Sequence, residues 1–207
     1  MRGEVPLEEV YGRRLALVRP TRTEVEALGA LYVEALVPDA RETVAALLRE
    51  GVTVRVMSGG LRPAVVAVAR ELGIEAGAVA AVDVCFDDGG AYAGYDTASP
   101  LARSGGKRAV LETWAPALPR PILLVGDGAT DLEARPPADS FVAFAGVVER
   151  AAVVAEADVV VRSRSLAPVL ALALGDGGPS RPESLAVFET GRRLLDLEFR
   201  HPIRSET

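Results

Sequence analysis

The sequence has 207 residues, of which 49% are hydrophobic, 25% charged and 5% aromatic, enough apolar content for a folded core and too much for a disordered chain. Lysine and arginine number 23 against 29 acidic residues, a net charge of −6, so the chain lacks the basic surplus that nucleic-acid backbones and anionic membranes attract. The single cysteine, Cys85 in AAVDVCF, excludes an internal disulfide and reads as a buried core thiol, and no apolar run near either end reaches the ~20 residues of a membrane helix. A cytoplasmic protein acting on a small molecule, with neither nucleic acid nor membrane as partner, is the expectation.

Residues 1–36 carry apolar positions at helical spacing, as in TEVEALGALYVEAL, and predict two or three helices. From Pro38 the texture changes: ARETVAALLREG predicts an amphipathic helix stopped by Gly51, and VTVRVM predicts a β-branched strand running straight into Ser58-Gly59-Gly60. LRPAVVAVARELG predicts the next helix, AVAAVDVCF one strand, and DDGGAYAGYD a hairpin-like excursion turning at glycine. KRAVLETWA is a helix, PILLVGD a buried strand, SFVAFA another and ADVVV a last one, with helical patches near 131–134, 148–156 and 166–174. Strands alternating with helices predict an α/β fold with a Rossmann-like, doubly wound parallel sheet. Beyond a Gly/Pro break at 175–183 lies a separate helix, ESLAVFETGRRLLDLEF, and a polar tail. Leu185, Phe188, Leu195 and Phe199 share one face of that helix, which would dock on the chain's own core or on a second copy in a homodimer.

In open α/β sheets, ligands bind beyond the carboxyl ends of the strands, and two motifs lie there. In VMSGG, glycines let backbone N–H groups approach an anion and Ser58 adds a hydroxyl donor; an ordinary turn is the other reading. In LLVGDGATD, Asp127 ends a four-residue apolar strand and Asp131 follows four residues on. A carboxylate leaving a buried strand needs a cation or donors to meet it, and oxygen ligands of this kind suit magnesium. Lys107, in RSGGKRAV, is the only lysine in the chain, and as the opening residue of a helix its charge opposes the helix dipole. A compact ammonium meeting an anion explains it better than a solvated surface side chain. Together these features describe phosphoryl transfer.

From Met1 to about residue 162 the chain resembles the phosphoserine phosphatase branch of the haloacid dehalogenase-like hydrolases. The carrying segments are MRGEVPLEEVYGRRLALV, LLREGVTVRVMSGGLRP, YAGYD with PLARSGGK, and ILLVGDGATDLEARPPAD. The resemblance implies that Ser58 bonds a phosphate oxygen with Gly59 and Gly60 beside it, and that Lys107 balances charge between phosphoryl group and nucleophile. It implies that Asp127 binds Mg2+, Asp131 orders that site, and Thr130 contacts the phosphorylated substrate. Arg14 matches the arginine that grips a substrate carboxylate, a task suited to its planar fork, while Met1 and Leu7 match apolar contacts over a serine moiety. The substrate it implies is a small phosphorylated amino acid, in serine biosynthesis. The implied divisions are a partial helical cap over 1–37, an α/β hydrolase core over 38–174, and a linker, C-terminal helix and tail over 175–207.

The sequence departs from that pattern in three ways. Leu7 stands where an aromatic is common, and Asp39 where a glycine is usual. The family's first motif, Asp-x-Asp-x-Thr, whose aspartates act as nucleophile and general acid/base, has no counterpart here, since no Asp-x-Asp occurs anywhere. The expectation is therefore a chain that begins inside the cap, lacks the central nucleophile strand and is inactive as it stands. A related small-molecule phosphatase or phosphotransferase, and a non-catalytic phosphate-binding remnant, are the competing readings.

Overall fold

The computed structural model describes residues 7–200, with side chains from Glu8 to Glu198. The helices are α1 (Leu7–Val18), α2 (Arg22–Glu34), α3 (Ala40–Arg49), α4 (Arg62–Glu71), α5 (Gly106–Trp114), α6 (Ala129–Glu133), α7 (Ala151–Glu156), α8 (Ala167–Leu174) and α9 (Pro182–Arg200). The strands are β1 (Val56–Leu61), β2 (Val79–Val82), β3 (Val84–Phe86), β4 (Tyr92–Tyr95), β5 (Leu123–Gly126), β6 (Ser140–Phe144) and β7 (Val159–Val161). Packing divides the chain into two compact units, Met1–Leu36 with Arg55–Leu118, and Val37–Val54 with Pro119–Thr207. This groups residues by contact, whereas cap, core and tail are divisions by role.

In the first unit β1 and β2 pair in parallel, and the ladder is irregular between Met57 and Leu61. Ser58, Gly59 and Gly60 occupy that irregularity, so the strand predicted at VTVRVM lies further along the chain and contains the Ser-Gly-Gly segment instead of stopping before it. Val52 and Val54 are not in the ladder because they pack on the core of the second unit. The single strand predicted at AVAAVDVCF is two strands broken at Asp83: β2 pairs with β1, while β3 pairs antiparallel with β4. Asp83 is exposed, and its carbonyl accepts a bond from the Asp96 amide at 2.9 Å as the chain changes sheets. Cys85 is exposed on β3, so the expected core thiol is a surface one. The β3–β4 turn closes where Asp87 accepts from the Ala91 amide at 2.8 Å and Gly90 takes φ +81°. Helix α2 starts with a capping box, the Thr21 amide donating to Glu24 at 2.7 Å and the Glu24 amide to the Thr21 hydroxyl at 3.3 Å.

In the second unit β5, β6 and β7 form a parallel sheet in that order. Its register is pinned at one end by two carboxylates: Asp139 accepts from the Ile122 amide at 2.6 Å, and Asp158 from the Phe141 amide at 2.8 Å. Arg120 and Arg135 pair with those same aspartates. Phe141, Val142, Val161 and Leu170 are fully buried, and truncating a phenylalanine such as Phe141 to alanine would cost about 3–5 kcal/mol. The parallel pairing is thus present as two separate sheets, with β1 and β5 each paired on one side only among the described residues.

Asp39 precedes α3 with φ 62°, the left-handed conformation that explains a glycine preference at this position. The side chain compensates: Asp39 accepts from the Leu166 amide at 2.8 Å and from the Ser165 hydroxyl, tying α3 to the start of α8. Helix α9 packs on the core of its own unit through Phe188 and Leu195, so the face expected to dock is used within the chain. Leu185, expected on that face, is exposed, and the Phe199 side chain lies outside the described residues. Hydrogen bonds from Ser184, Ser180 and the Arg181 amide hold the Glu50 carboxyl down at about 2 and anchor the start of α9. Near its far end, Glu198 accepts from the Arg162 amide at 2.8 Å. Among the described residues no helix is long and apolar enough to cross a membrane.

Candidate functional site

In the first unit the Ser-Gly-Gly segment sits in the irregularity of β1. The Ser58 hydroxyl oxygen accepts from the Gly60 amide at 3.0 Å. That bond occupies a lone pair of the oxygen and leaves its hydrogen to donate to a bound acceptor, while withdrawing the Gly60 amide from that task. Gly59 lies against the loop ahead of Lys107, since a Cβ there would stand 3.3 Å from the Leu101 carbonyl oxygen.

Lys107 is half-buried in the first turn of α5. The two glycines before it serve different needs. Gly105 takes φ +71°, and Gly106 lies so close to the Pro100 carbonyl that a Cβ would come within 1.8 Å of its oxygen. Only glycine fits there, and the result is a tight loop from Pro100 to Gly106, closed by the Arg103 amide on the Pro100 carbonyl at 3.0 Å.

Arg14 lies exposed on α1, and no described residue holds its guanidinium. One turn earlier, Tyr11 packs into a cluster of Val82, Leu101, Ala102 and Val110 that also seats Met57, the residue before Ser58. Arg14, Ser58 and Lys107 therefore ride on three segments gathered around one apolar cluster.

In the second unit Asp127 follows β5 directly, and Thr130 and Asp131 lie on α6. Asp131 is 6% exposed, and its carboxylate accepts from the Gly128 amide at 3.1 Å, bracing the turn that carries Asp127. The carboxylate lies across Gly126, where a Cβ would be 2.2 Å from its carbon, so the first glycine of GDG is there to make room for Asp131. Thr130 is half-buried beside it. Asp127 is itself half-exposed and meets Arg150, which pairs with its carboxylate and donates to its carbonyl at 2.9 Å.

Asp127 has the hard oxygen donors that a divalent cation takes. Yet no three His, Cys, Asp or Glu side chains gather around a common point among the described residues, and Arg150 already engages the carboxylate. The described residues supply one cation ligand and its bracing, which is less than a complete metal site.

Met1 lies outside the described residues, as does the Leu7 side chain. Sequence reasoning did not find Arg150, 23 residues beyond Asp127, because no local pattern marks it and only the fold brings it there. Nor did it find Glu8, which reaches the loop ahead of Lys107 from α1.

A family profile described as haloacid dehalogenase-like hydrolase matches residues 3–139. Phosphoserine phosphatase of Homo sapiens is 42% identical over 151 residues, covering 72% of this chain and 67% of that protein. A solved structure described as a phospho-aspartyl intermediate analogue of phosphoserine phosphatase aligns with TM-score 0.64 at 25% identity, over 82% of this chain and 79% of the other. A phosphoserine phosphohydrolase-like protein from Francisella tularensis shares the fold, with TM-score 0.68 at 24% identity over 79% and 76% of the two chains. The profile covers more than half of the chain, and the human relative is 42% identical over 72% of it. On that footing the chain belongs to the haloacid dehalogenase-like hydrolases.

Proposed function

We propose that this phosphoric monoester hydrolase acts on O-phospho-L-serine, releasing L-serine and phosphate as a step of serine synthesis in the cytoplasm. The observation that carries the reading is Arg14: an exposed guanidinium on a helix seated over the cluster that also seats the Ser58 strand and the Lys107 helix. A phosphomonoester alone has no use for a further cation set apart from the phosphate loops, whereas a substrate carboxylate does. The names of the curated relatives support the same substrate.

In this reading the Ser58 hydroxyl donates to a phosphoryl oxygen, with the Gly59 backbone beside it. Lys107 neutralises charge on the same group as a point cation, Thr130 contacts the phosphorylated substrate, and Arg14 fixes the amino-acid end. Phosphatases of this family generally use a divalent metal. We take it to be Mg2+, with Asp127 as one ligand and Asp131 ordering the turn. Bound there, the ion would neutralise phosphoryl charge.

The residues that would accept the phosphoryl group and shuttle the proton, an Asp-x-Asp pair, do not occur in the sequence. This favours a second reading, phosphate binding without hydrolysis, for these 207 residues taken alone. Expression of the reading frame extended upstream separates the two. Phosphate release from phosphoserine is expected once Asp-x-Asp-x-Thr is included, with Arg14→Ala losing phosphoserine turnover but keeping that of p-nitrophenyl phosphate. An extension without that motif, or a longer protein that leaves phosphoserine intact, contradicts the proposal.

A further inference from the structure

Helix α1 is held at its first turn by a bond that joins it to the loop ahead of Lys107. The Glu8 carboxylate accepts from both the amide and the hydroxyl of Ser104, at 3.2 and 3.3 Å, across 96 positions of sequence. Those bonds hold the Glu8 carboxyl below the usual carboxylate range, its own backbone hydrogen bond first and that from Ser104 next. The loop that offers Ser104 is the tight one from Pro100 to Gly106, which the Gly106–Pro100 approach leaves little room to deform. Glu8 is thus bonded to a stiff platform.

Further along α1, Tyr11 packs against Tyr95 with ring centroids 5.3 Å apart, and Gly12 lets the helix come close, since a Cβ there would be 3.0 Å from the Tyr95 hydroxyl. Residues three and four apart share a helix face, so Glu8, Tyr11 and Gly12 form one docking stripe. Arg14 flanks it, one turn beyond Tyr11. The aromatic contact seats the helix, and apolar contacts of this kind tolerate some rotation about the helix axis. The directional pair of bonds at Glu8 is what fixes that rotation, about 9 Å along the axis from Arg14.

We propose that Glu8 is a positioning residue for substrate recognition: through Ser104 it fixes the angle of α1, and with it Arg14, relative to the loop ahead of Lys107. The inference rests on the reading that Arg14 meets a substrate carboxylate. It concerns a side chain that touches neither substrate nor metal in that reading.

Calorimetric titration of the 207-residue chain with O-phospho-L-serine and with inorganic phosphate tests it. Glu8→Ala is expected to weaken phosphoserine binding about threefold to tenfold while leaving phosphate binding unchanged, since only the carboxylate contact depends on α1. Glu8→Gln, which keeps an acceptor oxygen for Ser104, should recover most of the loss. In an Arg14→Ala background Glu8→Ala should have no further effect. Because Glu8 is exposed, its loss does not threaten folding, and unchanged thermal melting verifies this. If Arg14→Ala weakens phosphoserine binding and Glu8→Ala does not, or if Glu8→Ala weakens phosphate binding equally, the positioning role is wrong and the substrate reading stands. If the unmodified chain binds inorganic phosphate but not phosphoserine, or Arg14→Ala leaves phosphoserine binding unchanged, the substrate reading fails and the positioning role with it.

Discussion

Two glycines precede the proposed site residues, Gly106 one residue before Lys107 and Gly126 one residue before Asp127, and the fold needs them for opposite reasons. At Gly106 the missing Cβ makes way for a backbone carbonyl, 1.8 Å from where that atom would stand. At Gly126 it makes way for a carboxylate, that of Asp131, at 2.2 Å. The first unit thus shapes its loop by steric fit of main chain on main chain. The second holds its turn by polar side chains: Asp131 on the Gly128 amide and Arg150 on Asp127. Steric fit cannot be relieved by changing one side chain or by pH. Polar bracing can.

That contrast orders the expected effects. Gly106→Ala should be the most damaging, costing about 3 kcal/mol or more in denaturant unfolding, since no side chain can yield to the new methyl. A cost below about 1 kcal/mol would show that the loop can shift. Gly126→Ala should cost less, about 1–3 kcal/mol, because a side chain can swing away. In an Asp131→Ala background most of that penalty should vanish, and additive costs in this double-mutant cycle would break the comparison.

Asp39→Gly relieves the left-handed backbone yet forfeits the bonds to Ser165 and Leu166, and a net loss of about 1 kcal/mol is expected; stabilisation would mean the bonds carry nothing. The smallest effect is the pH response of α9. The folded pKa of Glu50 is lowered from 4.5 to about 2, so its contribution is present above 4.5 and is lost as pH falls through about 2. Hydrogen exchange along α9 should rise over that window, and Glu50→Gln should flatten the response.

Much of this was legible in the sequence because it is written in local patterns. The helical and strand periods, the glycine stops and the order of Ser58, Lys107 and Asp127 follow from residues within a few positions of each other, and the parallel α/β architecture follows from their alternation. What was not legible depends on partners far along the chain. The break at Asp83 is set by strand pairing with β4, the exposure of Cys85 by what covers β3, and the tolerance of Asp39 by bonds 127 positions away. The same is true of the site: Lys107 and Asp131 stand in recognisable motifs, whereas Arg150 and Glu8 carry no signal until the fold brings them to Asp127 and Ser104.

In the proposed function Lys107 serves a phosphoryl group as a compact point charge, in a chain that otherwise uses arginine for its cations. The direct measurement is phosphate release from O-phospho-L-serine by the upstream-extended protein and its Lys107→Arg variant. The substitution keeps the charge but replaces an ammonium with a planar, bulkier fork, so turnover should fall about a hundredfold with the fold intact. Near-normal turnover by Lys107→Arg would contradict the account.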